Sequence, residues 1–366
     1  MSWGLMANKN LTQAKRAKKD EFYTQYADIE REMNAYLDYD PNVFRDKSIL
    51  LPCDDPEWSN FTRYFAQNFE RLGIKRLVST SYAPSERTDL FSATRPPMGG
   101  AALPPGAVAG RGKLFVLDRD HNGDGRIDID DLEWRHLEGD GDFRSAEVTA
   151  LRDETDIIVT NPPFSLFREY MTWITEGGKL FVAIANKNCI TYKEVFPLIK
   201  ENLIWSGCQT WSGGMWFITT EPESADRIVD GVPMRNVPSI WITNIDHGRR
   251  HEPLPLMTTA ENLRFNSKMK GKDAYDRYDN YDAIEVPFIN AIPSDHDGPM
   301  GVPITFLDKY CPEQFEIVGS FNTGSHATEL GARITDTIIG GSIKPWNGPV
   351  VAKNPLYKRI IIRRVR

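Results

Sequence analysis

The stretch Asp156-Ile157-Ile158-Val159-Thr160-Asn161-Pro162-Pro163-Phe164 decides how this chain is read. Its first five residues are a β-branched run behind an acid, the pattern of a strand buried in a parallel sheet. Two prolines in succession give no N–H to a ladder, so the chain must leave the sheet at Asn161. That exit sets an amide, a carbonyl and an aromatic ring at the carboxyl end of a central strand. Open α/β sheets bind their ligands at such an edge.

Working outward, strand and helix patterns alternate. A helix is expected over 28–39, capped by Asp28 and stopped by Pro41, with Ile29, Met33, Tyr36 and Leu37 on one face. A strand over 48–53 is followed by a helix to about Leu72, with Asp55 as cap, Pro56 in its first turn and Gly73 after its end. Strands follow at 77–80 and 114–117, separated by a long Pro-, Gly- and Ala-rich loop over 83–112. After the central strand come a helix at 166–175, a strand at 179–185 and a helix at 195–202, then an expected antiparallel pair, 211–218 with 239–243. This order predicts an α/β fold, a doubly wound and mostly parallel sheet with an antiparallel edge. From about 251 the chain turns polar, aromatic and Pro-rich, which places a domain boundary between 1–250 and 251–366.

The chemistry suggested by Asn161-Pro162-Pro163-Phe164 is methyl transfer to an exocyclic amine. An aniline-like NH₂ is a poor nucleophile because its lone pair is delocalised into the ring. The Asn161 side-chain oxygen and the Pro162 carbonyl can each accept one N–H, drawing the nitrogen toward a tetrahedral geometry. Phe164 would stack on the flat base. The plainer reading is an Asn-Pro turn after a strand.

Composition bounds the alternatives. The 366 residues are 40% hydrophobic and 11% aromatic, enough for a large core, and no apolar run reaches membrane length. The first twenty residues carry lysines and no apolar h-region, and Cys53, Cys189, Cys208 and Cys311 are far apart, so a reduced, cytoplasmic protein is expected. Net charge is −7, yet residues 9–19 hold five basic residues and 340–366 hold seven, neither with an acid. Acidity concentrates over 118–156. Such segregation suits a DNA-binding cleft with a distant acidic face, and equally two solvated tails.

With these residues in view, the chain resembles the EcoRI-type adenine-specific DNA methyltransferases over about 8–364. The resemblance is carried by Asp20-Glu21-Phe22-Tyr23-Thr24-Gln25, Cys53-Asp54-Asp55-Pro56, Gly139-Asp140-Gly141-Asp142-Phe143-Arg144-Ser145 and Asn161-Pro162-Pro163-Phe164, with 298–309 and 312–319 downstream. It implies a Rossmann-like methyltransferase sheet, S-adenosylmethionine as donor, and 251–366 as a target-recognition region with Tyr275, Tyr278, Tyr281 and a basic end. Phe22-Tyr23-Thr24 resembles the motif that holds the cofactor's methionine end. Cys53 to Pro56 stands where related enzymes carry a Gly-rich turn; this chain has no glycine there, and Asp54 or Asp55 would meet the ammonium. Asp142-Phe143 is similar to the pair that holds the cofactor's adenine. The end of the second strand, Ser79 to Tyr82, lacks the acid many relatives use for the ribose.

An acidic insertion near 118–135 matches the calcium-binding EF-hand loop. Asp120, Asn122, Asp124 and Asp128 fall at acceptor positions, Arg126 at the backbone-carbonyl position, Gly125 at the sharp turn, Ile127 at the apolar position and Asp131 at the end. A structural Ca²⁺ is therefore an expectation, against a simple Asn-Gly-Asp-Gly turn.

The leading expectation is methylation of adenine N6 in double-stranded DNA, the base flipped to Asn161, with Trp216 or Phe217 as a second stacking face. Methylation of RNA adenine or of a protein glutamine uses the same motif. A calcium-binding interaction protein with an inactive fold is the reading from another class.

Overall fold

The structure, a computed structural model, describes residues 23–54, 59–83, 110–219 and 222–365. These form two compact units, one made of the chain through Val195 with Ser206–His247, the other of Phe196–Trp205 with Gly248–Arg366.

The first unit runs β1 (Tyr23–Thr24), α1 (Tyr26–Tyr39), β2 (Ser48–Leu51), α2 (Asn60–Gln67), α3 (Phe69–Leu72), β3 (Arg76–Thr80), β4 (Lys113–Leu117), β5 (Glu133–His136), α4 (Ala146–Glu154), β6 (Ile157–Thr160), α5 (Phe167–Gly177) and β7 (Leu180–Asn186). Then come β8 (Trp205–Ser206), β9 (Met215–Ile218), β10 (Arg227–Val229), β11 (Val232–Val237) and β12 (Ser239–Thr243). Among the described residues, eight strands form one mixed sheet in the order β5-β4-β3-β2-β6-β7-β12-β8. Strands β3, β2, β6 and β7 are mutually parallel; at the flanks β12 pairs antiparallel with β7, β4 pairs antiparallel with β3, and β5 pairs antiparallel with β4. Every residue of β2 and β6 is buried, as continuous apolar runs require in a sheet covered on both faces. From β2 the chain moves to β3 on one side and returns as β6 on the other. The carboxyl ends of β2 and β6 therefore flank the place where the strand order reverses.

Three expectations change here. Helix α1 begins at Tyr26, so Asp28 lies inside its first turn; Gln25 is the cap residue, and its side chain donates instead to the Trp216 carbonyl at 2.7 Å. The helix expected to reach Leu72 unbroken is interrupted at Asn68, whose side-chain amide donates to the Tyr64 carbonyl at 2.8 Å and competes with the helical ladder. Strands β9 and β12 do not pair with each other. β12 is buried along its whole length and joins β7 inside the large sheet. β9 alternates buried and half-buried residues, the mark of a strand with one covered face, and sits in an antiparallel sheet β1-β9-β11-β10.

The second unit contains α6 (Phe196–Lys200), α7 (Thr259–Phe265), β13 (Ile284–Glu285), β14 (Met300–Pro303), β15 (Phe315–Phe321), α8 (Ser325–Leu330), β16 (Thr335–Ile339), β17 (Ser342–Trp346), β18 (Val350–Val351), β19 (Asn354–Pro355) and β20 (Arg359–Arg364). Its main sheet has the order β13-β14-β20-β15. Three arginines of the basic end and the three tyrosines make contacts within this framework. Arg359 grips the buried Glu285 with two nitrogens, Nη2 at 2.7 Å and Nε at 3.0 Å. Arg363 pairs with Glu316 at 3.1 Å, and Arg364 donates to the Ser294 carbonyl. The Tyr278 hydroxyl donates to Glu285, that of Tyr275 donates to the Ala291 carbonyl, and Tyr281 packs on Phe321. Arg366 and residues 9–19 lie outside the described residues. Among the described residues no helix is long and apolar enough to cross a membrane, and all four cysteines are free.

Candidate active site

Because β2 and β6 pair in parallel, with Ile49 beside Ile157 and Leu50 beside Ile158, the segments leaving their carboxyl ends meet. Asp54 is the joint. One carboxylate oxygen accepts from the Ser59 hydroxyl at 2.8 Å and the other from the Thr160 hydroxyl, while its main-chain carbonyl accepts from the Ser79 hydroxyl. Ser59 in turn caps α2, its oxygen accepting the Phe61 N–H at 3.1 Å. The adjacent Asn60 donates to the Thr24 carbonyl at 2.7 Å. One buried residue thus ties the end of β2 to β6 and the start of α2 through its carboxylate and to β3 through its main-chain carbonyl, and α2 ties the Tyr23-Thr24 strand to them.

Each residue singled out in the sequence can now be placed. Asn161 and Phe164 are half-buried at the end of β6, and Pro162 is buried between them. Pro163 accepts the Leu166 N–H at 3.0 Å, so a tight 3₁₀ turn over Phe164–Leu166 leads directly into α5. Phe164 packs against the main core with part of its ring still open. Thr24 is buried, and its hydroxyl has no hydrogen-bond partner among the described residues. Tyr23 is paired with Ile218 on β9. Phe22, Asp55 and Pro56 lie outside the described residues. Burial pushes the Cys53 thiol up, with Asp54 and Asp142 adding to the rise against a hydrogen bond from Thr160, so Cys53 is an inert neutral group here.

Asp142 and Phe143 separate. The loop carrying them presses on the end of β3 so tightly that a Cβ on Gly141, which has φ +83°, would collide with the Ser81 carbonyl. Asp142 is held by Arg144 through Nε at 2.9 Å and Nη2 at 2.6 Å. Burial raises its carboxyl, but the Arg144 hydrogen bonds outweigh this and hold it below the usual carboxylate range. Phe143 is 4% exposed and packs edge-on against Tyr170 at 5.5 Å and Trp173 at 5.6 Å, so its ring is part of the core. Phe217 is likewise fully buried in the core, which removes it as a stacking face. The Trp216 ring is covered by the Arg227 guanidinium at 3.6 Å.

The metal expectation finds no support in the structure. Asp120 accepts the N–H groups of Gly123 at 2.5 Å and Gly125 at 2.8 Å, Asn122 accepts that of Asp124, and Asp124 that of Arg126. Asp131 closes the loop on the N–H groups of His121, Asn122 and Asp128. The carboxylates serve the loop's own backbone, and no cluster of His, Cys, Asp and Glu able to hold a metal forms among the described residues.

Sequence reasoning missed the hydroxyl residues Ser59, Ser79, Thr80 and Thr160, and the orphaned hydroxyl of Tyr170. Tyr170 is fully buried in α5; burial, then the proximity of Cys53 and Asp54, pushes its hydroxyl well up. A signal existed for the first group. The polar run Ser79-Thr80-Ser81 at a strand end, read as a missing acid, consists of donors: Ser79 to the Asp54 carbonyl and Thr80 to the Pro52 carbonyl at 2.9 Å.

The family described as "Adenine-specific methyltransferase EcoRI" matches residues 10–365. The chain is 41% identical to Type II methyltransferase M.EcoRI of Escherichia coli across 88% of this chain and 92% of that one. It is 33% identical to Type II methyltransferase M.MpnI of Mycoplasma pneumoniae across 83% of each, and 29% identical to Type II methyltransferase M.MgeORF184P of Mycoplasma genitalium across 97% and 98%. No solved structure matches with significance. With a family match spanning residues 10–365 and 41% identity to the Escherichia coli relative over most of both chains, the chain belongs to the EcoRI family of adenine-specific methyltransferases.

Proposed function

We propose that this protein transfers a methyl group from S-adenosylmethionine to the N6 amine of an adenine in duplex DNA, the base being flipped out of the stack to reach Asn161. The observation that carries the reading is the position of Asn161-Pro162-Pro163-Phe164 at the carboxyl edge where the strand order reverses, on a chain of this family. The donor set fits the cofactor. Two buried hydroxyls, Thr24 Oγ1 and Tyr170 OH, lack partners among the described residues, and a ligand with carboxylate, ammonium and ribose oxygens supplies them. Thr24 and Tyr23 would hold the methionine end, Asp54 would face the ammonium, and Asp142 would accept from the adenine amino group.

When bound, S-adenosylmethionine supplies an electrophilic methyl group on a sulfonium. The chain's own residues prepare the nucleophile. Asn161 Oδ1 and the Pro162 carbonyl each accept one N–H of the target amine, and the half-open Phe164 ring stacks on the base. As the N–C bond forms, the amine nitrogen becomes positive and these two acceptors bind it more strongly than they bind the neutral amine. That difference is the catalytic contribution. Neither acceptor is basic, so the surplus proton leaves the nitrogen to water.

Asn161→Ala is expected to lower kcat by roughly 10²- to 10³-fold, the scale of one lost transition-state hydrogen bond, while calorimetry gives a nearly unchanged Kd for S-adenosylmethionine. A variant with normal kcat removes the motif from catalysis. Methyl incorporation into DNA, RNA and glutamine-containing peptides separates the substrate classes, and absence of any heat with the cofactor would point to an inactive fold.

A further inference from the structure

Arg168 is placed where the backbone does not favour a cation. It lies in the first turn of α5, just after the catalytic turn, where the helix dipole opposes positive charge. It is exposed, and it forms no ion pair among the described residues. Its guanidinium is nevertheless fixed: Cζ stands 4.3 Å from the centroid of the Tyr192 ring. Tyr192 closes the 3₁₀ turn Lys187–Thr191 at the end of β7, and its N–H donates to the Cys189 carbonyl at 2.9 Å. Strands β6 and β7 are parallel neighbours, with Thr160 beside Ala183, so Arg168 and Tyr192 both rise from the edge that carries Asn161.

The other cations at this edge are already used. Lys187 donates to the Trp211 carbonyl, and Lys193 pairs with Glu194 at 3.7 Å. Stacking occupies only the flat face of a guanidinium and leaves its edge N–H groups directed outward, in the fork that suits phosphate oxygens.

We propose that Arg168, held in place by Tyr192, binds a backbone phosphate of the DNA strand whose adenine is presented to Asn161. This rests on the DNA reading given above. It assigns to the catalytic edge itself a phosphate contact that sequence composition had assigned to the two basic ends.

The test is methyl incorporation into plasmid DNA across a salt series, with wild type, Arg168→Gln, Arg168→Lys and Tyr192→Leu. Each phosphate contact contributes about 0.9 to the slope of log(kcat/KM) against log[salt]. Arg168→Gln should lower that slope by about this amount and reduce kcat/KM about tenfold at moderate salt, with the loss falling on KM more than on kcat. Arg168→Lys should restore the slope with weaker binding, since the charge returns without the fork. Tyr192→Leu should keep the slope and weaken binding, because the arginine is no longer pre-positioned. Parallel lines for wild type and Arg168→Gln overturn the assignment, as does a lowered melting temperature with unchanged salt dependence, which would make the stack merely structural. A wild type that binds S-adenosylmethionine but leaves DNA unmethylated and methylates another acceptor overturns the DNA reading, and the proposal falls with it.

Discussion

Asp54 and Asp131 are both buried carboxylates with a donor on each oxygen, yet they do opposite work. Asp54 gathers groups remote in sequence, the hydroxyls of Ser59 and Thr160, and so fixes the strand ends that carry the site. Asp131 gathers only His121, Asn122 and Asp128 from its own loop. The lesson concerns reach. A carboxylate that organises its own neighbourhood leaves a dense local pattern, which here imitates a calcium loop. One that organises the fold leaves a single acid with no visible partner.

Asp54→Ala should have the largest effect. It strands two buried hydroxyls and releases β2 from β6, a loss of roughly 3–5 kcal/mol of stability together with most of the methyl transfer. Asp54→Asn keeps one acceptor and should lose less. Calorimetric melting of the full chain checks both. If Asp54→Ala melted like wild type, the carboxylate would not be the joint, and the contrast with Asp131 would fail.

The same contrast recurs among the arginines of β20. Arg359 and Glu285 are 13% and 5% exposed, and Arg359→Ala leaves a buried charge unpaired, which costs about 3 kcal/mol. Arg363 and Glu316 are 46% and 52% exposed, and Arg363→Ala should change stability by less than about 1 kcal/mol. Denaturant midpoints rank the two. Equal losses would show that burial does not decide the worth of these pairs. DNA binding should be indifferent to Arg363→Ala; a clear drop in its salt slope would return the basic end to the interface.

The parts of the molecule written in local pattern were open to sequence reading. The β-branched run before Asn161 specified β6, and its prolines specified where the chain leaves the sheet. The periodic face of Ile29, Met33 and Tyr36 specified α1. What stayed hidden was pairing at long range. Nothing local says that Thr24 lies beside Phe217, or that Gly301 pairs with Ile361, because register depends on which faces the rest of the chain covers. The surroundings of Phe143 were hidden for the same reason. An aromatic beside an acid has the chemistry of a base-binding pair, and only Tyr170 and Trp173, brought in by α5, show that its ring is already packed.

The smallest effect is expected at Asp131, and it tests whether that loop is closed by its own backbone. The Asp128 N–H first, then those of Asn122 and His121, hold the Asp131 carboxyl below its ordinary value, against opposing desolvation. The sign follows from linkage. The folded carboxyl resists protonation more than the unfolded one, so its contribution is complete above the unfolded value near pH 4 and is lost as pH falls through the lower folded value. Asp131→Asn, which cannot ionise, should therefore destabilise slightly at neutral pH and lose less than wild type as pH falls below about 4. Calcium should not move the melting temperature of either protein, since no group of His, Cys, Asp and Glu able to hold a metal forms among the described residues. Wild-type and variant curves that stay parallel through the acid range would exclude Asp131 as the closing group. A calcium-dependent rise confined to wild type would show that those N–H groups yield to the ion, and that the loop is a metal site after all.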